Sequence, residues 1–402
     1  MPFGTGPCFT KSMDKFWLVG QILKGQKICP GALLIKEGKI EKICTRADNK
    51  APKLLCPNGY ILPGLIELHI HGAKGCDFAD ASSKANQKIA NFLAQQGMAG
   101  YVAAIVSSPH KETLRAIETL AQTPPKGPKL LAILLEGPFI APQKRGAHRK
   151  ECLQQPNIKR AKEYLSLIPK DIQPIVLVAP ELPGALPFIK ELKKLGAIVA
   201  LGHSAADYGT TQKALHAGAS YGIHLWNAMA PLNHRQPGIV GAMLTNEEAY
   251  VEVIGDMLHV HPAIVSLTIK AKSPQRVALV TDTTGPAGLP QGKHLWNGQE
   301  VTVTSTDIRL ADSTLAGSNM TNKQLLHAIT SLGHSLKDTV HMRSAVPAKI
   351  IGEKAKGWGK LQVGKEANIS VLDEKMKTLL TIAQGRISYP SSRTRLTALF
   401  KS

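Results

Sequence analysis

The sequence predicts an α/β fold, a TIM-like (β/α)₈ barrel joined to a small β-sandwich domain that both ends of the chain form. Short apolar runs alternate with helical patterns through the middle of the chain, which is typical of repeated βα units around a parallel sheet. Both ends contain short strand patterns separated by Gly, Pro and Asn. The 402 residues, of which 43% are hydrophobic, exceed the length of about 250 residues that a barrel alone needs.

The small β domain is predicted from strand patterns at the two ends of the chain. These patterns lie at 15–23, 31–36, 39–44, 60–62, 368–372 and 379–382. Each pattern is rich in apolar or β-branched residues and is bounded by turn-forming residues. We therefore expect residues 1–62 and 351–402 to form one β domain around a barrel of residues 63–350.

The barrel is predicted from eight apolar runs. These candidate strands lie at 65–70, 101–106, 130–135, 175–178, 198–201, 222–225, 250–254 and 277–280. Helical patterns lie between them, at 84–96, 111–121, 161–168 and 210–217 among others. Strands of 4–8 residues alternating with helices favour parallel βα units over an antiparallel sheet.

Polar side chains recur where the candidate strands end. The residues concerned are His69, His71, Glu136, His203, His224 and Asp282. In a barrel the carboxyl ends of all strands face one mouth, so residues far apart in sequence converge there. This recurrence predicts a single site at the mouth.

The types of these residues point to a divalent metal. His69 and His71 form an HxH pair whose imidazoles alternate to the same side of a strand. Taken singly, the pair could be two polar strand residues, Glu136 a cap, and His203 and His224 buried hydrogen-bonded histidines. Jointly, a carboxylate and several imidazoles are typical of a hydrolytic site, in which zinc has three protein ligands and one water.

Asp282 is the candidate general base and acid. It follows the last candidate strand, so its carboxylate would lie beside a water that the metal activates. The alternative role is a helix N-cap.

Composition and charge exclude several classes of protein. The sequence contains no run of about 18 apolar residues, so it predicts no membrane span. Residues 1–15 lack the pattern of an export signal. The lack of both predicts a cytoplasmic protein. The six cysteines form no CxxC pair, which favours free thiols over a zinc ribbon, a thioredoxin-type site or a disulfide framework. The net charge of +20 could attract nucleic acid, but the basic residues are dispersed and no nucleic-acid-binding motif is present.

Seven segments together resemble the N-acetylglucosamine-6-phosphate deacetylases of the amidohydrolase superfamily. They are 63–72 (PGLIELHIHG), 135–139 (LEGPF), 146–148 (GAH), 201–204 (LGHS), 224–229 (HLWNAM), 256–259 (DMLH) and 313–318 (STLAGS). The resemblance runs in order from about residue 31 to about residue 373. The HxH pair is common to the superfamily, whereas the LEGPF, GAH, HLWNAM and STLAGS segments are more specific.

The resemblance implies an activity and assigns roles to residues. The reaction would be hydrolysis of the acetamide of N-acetylglucosamine 6-phosphate to glucosamine 6-phosphate and acetate. The ligands of a principal divalent metal would be Glu136, His203 and His224, and a second ion could bind His69 and His71. Zinc is the expected metal, with iron or another divalent metal as the alternative. His148 of the GAH segment would stabilise the oxyanion.

The resemblance also implies how the sugar phosphate is held. Arg235 would contact the phosphate, from the neighbouring subunit of a homodimer if it acts in trans. Asn227, Ala228 and His259 would complete the pocket.

Three alternatives differ from this hypothesis. An N-acetylgalactosamine-6-phosphate deacetylase would share the same motifs, because one epimeric hydroxyl is recognised by local geometry. A cyclic amidase usually has a modified Lys after the fourth barrel strand, where this sequence has Val, Ala, Pro and Glu at 178–181. A basic nucleic-acid-binding protein with an inert barrel would be expected to have lost the ligand residues, and all of them are present.

Overall fold

The computed structural model describes residues 14–25 and 27–390, and Cys8 lies outside these residues. Within them it contains twenty-one strands and ten α-helices. The strands are β1 (Lys15–Lys24), β2 (Lys27–Lys36), β3 (Lys39–Cys44), β4 (Lys53–Pro63), β5 (Leu65–Ile70), β6 (Gly72–Ala73), β7 (Cys76–Asp77), β8 (Met98–Val106), β9 (Lys129–Glu136), β10 (Gln173–Val178), β11 (Ile198–Leu201), β12 (Tyr221–Gly222), β13 (Tyr250–Ile254), β14 (Val277–Val280), β15 (Gly292–Trp296), β16 (Gln299–Val303), β17 (Asp307–Leu310), β18 (Leu315–Ser318), β19 (Ile369–Leu372), β20 (Thr378–Ala383) and β21 (Arg386–Tyr389). The α-helices are α1 (Ser83–Gln95), α2 (His110–Gln122), α3 (Ile158–Ser166), α4 (Ala185–Lys194), α5 (Tyr208–Ala217), α6 (Gly238–Thr245), α7 (Pro262–Lys272), α8 (Asn322–Ser331), α9 (Leu336–Arg343) and α10 (Ala345–Ile351).

Eight parallel strands form the central sheet, in the order β5, β8, β9, β10, β11, β12, β13, β14. The first and last strands meet at their carboxyl ends, where the Asp282 amide donates to the His69 carbonyl at 3.1 Å and a parallel bridge joins Ile70 to Thr283. This contact closes the sheet into a nearly complete barrel. The predicted (β/α)₈ fold is confirmed.

The barrel strands are mostly apolar on both faces because both faces are buried. β5 and β8 are buried along their whole length, as is expected where helices cover one side of a parallel sheet and barrel side chains fill the other. Several helices begin at side-chain caps, such as Ser82 before α1 and Asp207 before α5. None of the described helices is long and apolar enough to cross a bilayer.

The predicted β domain from both chain ends is also present, as a separate seven-stranded sheet in the order β21, β20, β19, β4, β1, β2, β3. β19 pairs antiparallel with β4, so that Val371 lies opposite Ile61. Only Gly64 separates β4 from β5. A Cβ atom at Gly64 would lie 2.7 Å from the Cβ of Ala99, so the tight passage between the two sheets requires glycine.

Two features differ from the sequence-based expectations. The strand expected at 222–225 covers only Tyr221–Gly222, because the backbone of His224 turns into the left-handed region with φ of 27°. In addition, β15 to β18 form a four-stranded antiparallel sheet after the last barrel strand, which the patterns did not predict. This sheet carries Trp296 to the barrel mouth, where its ring lies 6.3 Å from that of His71.

Candidate active site and metal centre

Glu136 lies at the centre of the candidate site, at the carboxyl end of β9. Its side chain is buried, and one carboxylate oxygen, Oε2, faces the HxH pair. The Nε2 atoms of His71 and His69 lie 2.6 Å and 3.2 Å from this oxygen. The structure therefore brings the HxH pair, predicted from the first barrel strand, to the carboxylate of the third.

The other carboxylate oxygen, Oε1, faces three more imidazoles. The Nε2 atoms of His203 and His224 lie 3.1 Å and 3.0 Å from it, and that of His148 lies 3.7 Å away. One carboxylate thus stands between two histidine groups, with a different oxygen toward each.

These two groups have the composition of metal sites. In each of them, His69 with His71 and Glu136, and Glu136 with His203 and His224, the ligand atoms all lie within 4.8 Å of one another and are buried. Burial by itself would raise the pKa of Glu136, but His69 and His71 hold it well below its usual range. An ionised carboxylate with imidazole nitrogens is a donor set that suits zinc and similar divalent ions.

Hydrogen bonds at the far side of two rings orient their ligand nitrogens. His69 donates from Nδ1 to Glu252 at 2.9 Å, and His203 donates from Nδ1 to the Lys144 carbonyl at 2.7 Å. With Nδ1 carrying the proton, Nε2 presents its lone pair to the centre of the site.

The strand ends that carry three of these residues have strained backbones. His203, His224 and Asp282 have φ values of 44°, 27° and 51°. A residue other than glycine in this region costs on the order of 1–3 kcal/mol and persists only where its surroundings fix it. The His203 carbonyl accepts from the Ala141 amide at 3.0 Å, and the Asp282 carbonyl accepts from the Ser318 amide at 3.0 Å.

His148 has a defined protonation state. The backbone amide of Ser107 donates to its Nδ1 at 3.3 Å, so Nδ1 carries no proton and Nε2 does. Burial lowers the pKa of His148 to about 4, so the ring is neutral near pH 7. Gly137 of the LEGPF segment makes room for this arrangement, since any Cβ there would overlap Ser107 Oγ, which is 2.8 Å from Nδ1 of His148.

Asp282 lies at the edge of the histidine cluster. Its Oδ1 is 3.7 Å from Nε2 of both His69 and His71, and 14% of its side chain is exposed. Among the residues that the structure describes, its carboxylate accepts no hydrogen bond. It is free to take a proton from a molecule that enters the mouth.

Three of the residues expected to hold the sugar phosphate are partly or largely buried, whereas Arg235 is exposed. Asn227 and Ala228 are half-buried directly after His224, and the Ala228 carbonyl accepts from the Ser204 amide at 3.0 Å. The His259 ring donates from Nδ1 to Asp256 at 2.5 Å. Burial would lower the pKa of His259, but the hydrogen bond and charge of Asp256 raise it above its usual value, and Asp282 contributes.

Arg235 is not brought into the cluster within one chain. It lies in an exposed loop at 231–236. In the part of the chain that the structure describes, its guanidinium makes no hydrogen bond or ion pair, and only its backbone amide is held, by Asn233 at 3.1 Å.

Sequence reasoning missed two residues of the site, Glu252 and Trp296. Glu252 did carry a signal, because it is a carboxylate in the middle of the apolar run 250–254. Trp296 carried none, since its short polar strand gives no hint that the ring packs beside His71.

The sequence profile described as "Amidohydrolase family" matches residues 60–391. The chain belongs to the amidohydrolase family. Curated relatives refine this placement. An N-acetylgalactosamine-6-phosphate deacetylase of Escherichia coli O157:H7 is 33% identical over 87% of this chain and 91% of its own length. An N-acetylglucosamine-6-phosphate deacetylase of Bacillus subtilis is 31% identical over 92% of this chain and 96% of its own length.

A solved structure resembles this amidohydrolase over nearly its whole length. It is a mutant N-acetyl-D-glucosamine-6-phosphate deacetylase from Mycobacterium smegmatis in complex with N-acetyl-D-glucosamine-6-phosphate. It superposes with a TM-score of 0.86 at 28% identity, over 93% of this chain and 99% of that one. The resemblance predicted from the seven sequence segments is confirmed.

Proposed function

We propose that this amidohydrolase removes the acetyl group of N-acetylglucosamine 6-phosphate, releasing glucosamine 6-phosphate and acetate. The observation that carries the proposal is the position of Glu136, with histidines at both carboxylate oxygens and Asp282 beside them. In a family of amide hydrolases whose relatives are sugar-phosphate deacetylases, this arrangement supports metal-assisted cleavage of an acetamide.

The residues that would hold the metal are Glu136, His203 and His224, with His69 and His71 available for a second ion. The buried, preoriented nitrogens described above suit such an ion, and zinc is the simplest choice for this donor set. A bound divalent cation supplies Lewis-acid polarisation and lowers the pKa of a coordinated water.

Asp282 moves the proton. Its carboxylate, which accepts no hydrogen bond from the described residues, accepts a proton from the attacking water as the new C–O bond forms at the acetyl carbon. The same carboxyl group then gives that proton to the sugar nitrogen as the C–N bond breaks, so acetic acid and a neutral amine leave, and the acid passes its proton to the amine to give acetate and an ammonium group. Atoms and charge balance without any further reactant.

His148 donates to the acetyl oxygen. Because its Nδ1 accepts from Ser107, the proton on Nε2 is directed into the site, where negative charge develops on the carbonyl oxygen. Because the ring is already neutral, this is its last ring proton, and a neutral imidazole donates it in a hydrogen bond without giving it up near pH 7.

The 6-phosphate would be held by Arg235 and His259, with Asn227 and Ala228 beside the sugar. Since Arg235 is exposed and its guanidinium is unpaired among the described residues, we propose that it reaches the site of the partner in a homodimer. Arginine suits this role because its planar group contacts phosphate through two hydrogen bonds.

The galactosamine epimer is a second candidate substrate, favoured by the Escherichia coli relative at 33% identity. The two sugars differ at one hydroxyl, so both fit the same phosphate and acetamide contacts. We propose that the protein acts in the cytoplasm, which is consistent with the five free cysteines among the described residues.

Acetate release tests the proposal directly. The purified protein is freed of metal with a chelator, reconstituted with Zn²⁺ and assayed on both epimeric 6-phosphates and on unphosphorylated N-acetylglucosamine. We expect activity only with metal and a preference for one phosphorylated epimer. Equal turnover with and without metal, or no acetate from either phosphate, would refute the assignment.

A further inference from the structure

Glu252 is a fully buried carboxylate in the middle of β13, below the two histidine groups. A buried carboxylate is stable only where hydrogen bonds satisfy it. One of its oxygens, Oε2, accepts two of them, from Nδ1 of His69 at 2.9 Å and from the backbone amide of His224 at 3.2 Å.

These two hydrogen bonds lead to different histidine groups. His69 belongs to the group with His71 and Glu136, and His224 belongs to the group with Glu136 and His203. Glu252 is therefore tied to both groups from below, as Glu136 is from within the site.

The effect on His69 concerns the choice between its two ring nitrogens. A neutral imidazole carries one proton, and the carboxylate of Glu252 holds that proton on Nδ1. Nε2 of His69, 3.2 Å from Glu136, is then free to donate its lone pair to a cation.

The other histidines do not have this support from a side chain. His203 relies on a backbone carbonyl, and Nδ1 of His71 and of His224 is buried with no hydrogen-bond partner in the described part of the chain. Within residues 14–25 and 27–390, Glu252 is the one carboxylate that accepts from Nδ1 of a histidine in the two groups. For His224, Glu252 instead accepts a hydrogen bond from the backbone amide, at a residue whose φ of 27° persists only where its surroundings fix it.

We propose that Glu252 is a positioning residue that sets the cation affinity of the His69–His71–Glu136 group. It fixes the ligating tautomer of His69 and the direction of that ring. This inference deepens the proposed function and rests on it, because it requires that the site binds divalent cations.

The test uses the full chain, freed of metal, and Zn²⁺ as the probe. Bound ions are counted by elemental analysis, and stepwise affinities are measured by competition with a chromophoric chelator. The variants are Glu252→Leu, which removes the acceptor, and Glu252→Gln, which keeps the shape and an amide oxygen. Loss of the hydrogen-bond acceptor of a metal-binding histidine weakens metal binding by about 10–100-fold.

Tyr221→Phe is the matched control. Tyr221 is buried in the neighbouring strand, and its hydroxyl has no hydrogen-bond partner among the described residues. Burial together with the charges of Glu252 and Glu136 raises its pKa well above its usual value. Tyr221→Phe removes only this hydroxyl and leaves the hydrogen bonds of the histidines in place, so we expect wild-type binding of both ions.

The expected result is selective. The wild type binds two ions. Glu252→Leu binds the ion of the Glu136–His203–His224 group nearly normally and the ion of the His69–His71–Glu136 group about 10–100-fold more weakly. The affinity of Glu252→Gln for this second ion lies between those of the wild type and Glu252→Leu. The melting temperature of the metal-free protein serves as a second readout, because a merely structural role would lower it and weaken both ions alike. That pattern would overturn the inference, and so would wild-type binding of both ions by Glu252→Leu.

Two results in the wild-type protein separate this inference from the proposed function. Uptake of one ion only would overturn the inference and leave the deacetylase proposal standing. Uptake of none would overturn both.

Discussion

Arg343 and Glu67 form a buried ion pair beneath the barrel mouth, with guanidinium nitrogens 3.2 Å and 2.9 Å from the two carboxylate oxygens. Arg343, at the end of α9, is fully buried and also donates to the Leu279 carbonyl at 2.8 Å. Thr281 donates to Glu67 through its hydroxyl at 2.9 Å. The pair therefore joins the strand that carries the HxH motif to the residue before Asp282.

Replacing Arg343 alone should destabilise the protein strongly. Arg343→Met leaves the Glu67 carboxylate buried without its counter-charge, and we expect the free energy of unfolding to fall by about 3–5 kcal/mol. Urea titration of the metal-free protein measures this change in the free energy of unfolding. In the matched double variant, Arg343→Met with Glu67→Leu, no charge remains and much of the loss should be recovered. A loss below about 1 kcal/mol in the single variant, as for an exposed pair, would contradict this view.

Asp282→Asn should separate metal binding from turnover. The amide keeps the shape of the side chain but cannot accept a proton, so kcat should fall on the order of 10²–10⁴-fold. Elemental analysis should show the same metal content as in the wild type, because the two histidine groups are intact. Near-normal turnover would remove Asp282 from the proton transfer.

Arg235→Ala should weaken recognition of the phosphate. A hydrogen bond to a charged group contributes about 1.5–3 kcal/mol, so KM for the sugar phosphate should rise roughly tenfold to a hundredfold. KM for the unphosphorylated sugar should not change. Arg386→Ala, which removes another exposed arginine, is the control. An equal effect of Arg235→Ala on both sugars would disprove a phosphate contact.

Mixed dimers test whether Arg235 acts in trans. When Arg235→Ala and Asp282→Asn chains are combined, each mixed dimer regains one site with both residues only if the arginine crosses the interface. Random assembly of equal amounts should then restore about a quarter of the wild-type sites. Recovery should be absent if Arg235 serves its own chain.

His259 should make phosphate binding depend on pH. Its pKa is raised because Asp256, helped by Asp282, outweighs burial and the opposing charge of Arg309. The cationic ring is present below this raised pKa and is lost as pH rises through it, so KM for the sugar phosphate should rise on the alkaline side. In Asp256→Asn the same rise should begin at lower pH. Identical KM profiles for the two proteins would exclude this role of the pair.

Much of the barrel could be predicted because its strands are short apolar runs whose polar residues stand at the carboxyl ends. Glu136 and the five histidines around it follow from that rule and from the family segments. The rule fails at His224, where the strained backbone ends the strand early. This strain comes from tertiary contacts, which a local sequence pattern does not show. It also fails for β15 to β18, whose short polar strands are positioned by contacts with the barrel mouth.

The seam between the first and last barrel strands, where the amide of Asp282 reaches the carbonyl of His69, has a consequence for biosynthesis. The base and the HxH pair are separated by more than two hundred residues of chain, and they become neighbours only when the eighth strand docks. A nascent polypeptide that ends before this strand has every histidine of the two groups but not the enclosure that holds them. We therefore expect tight cation binding only after this strand has docked, and fragments that stop short of residue 277 should retain no tightly held ion.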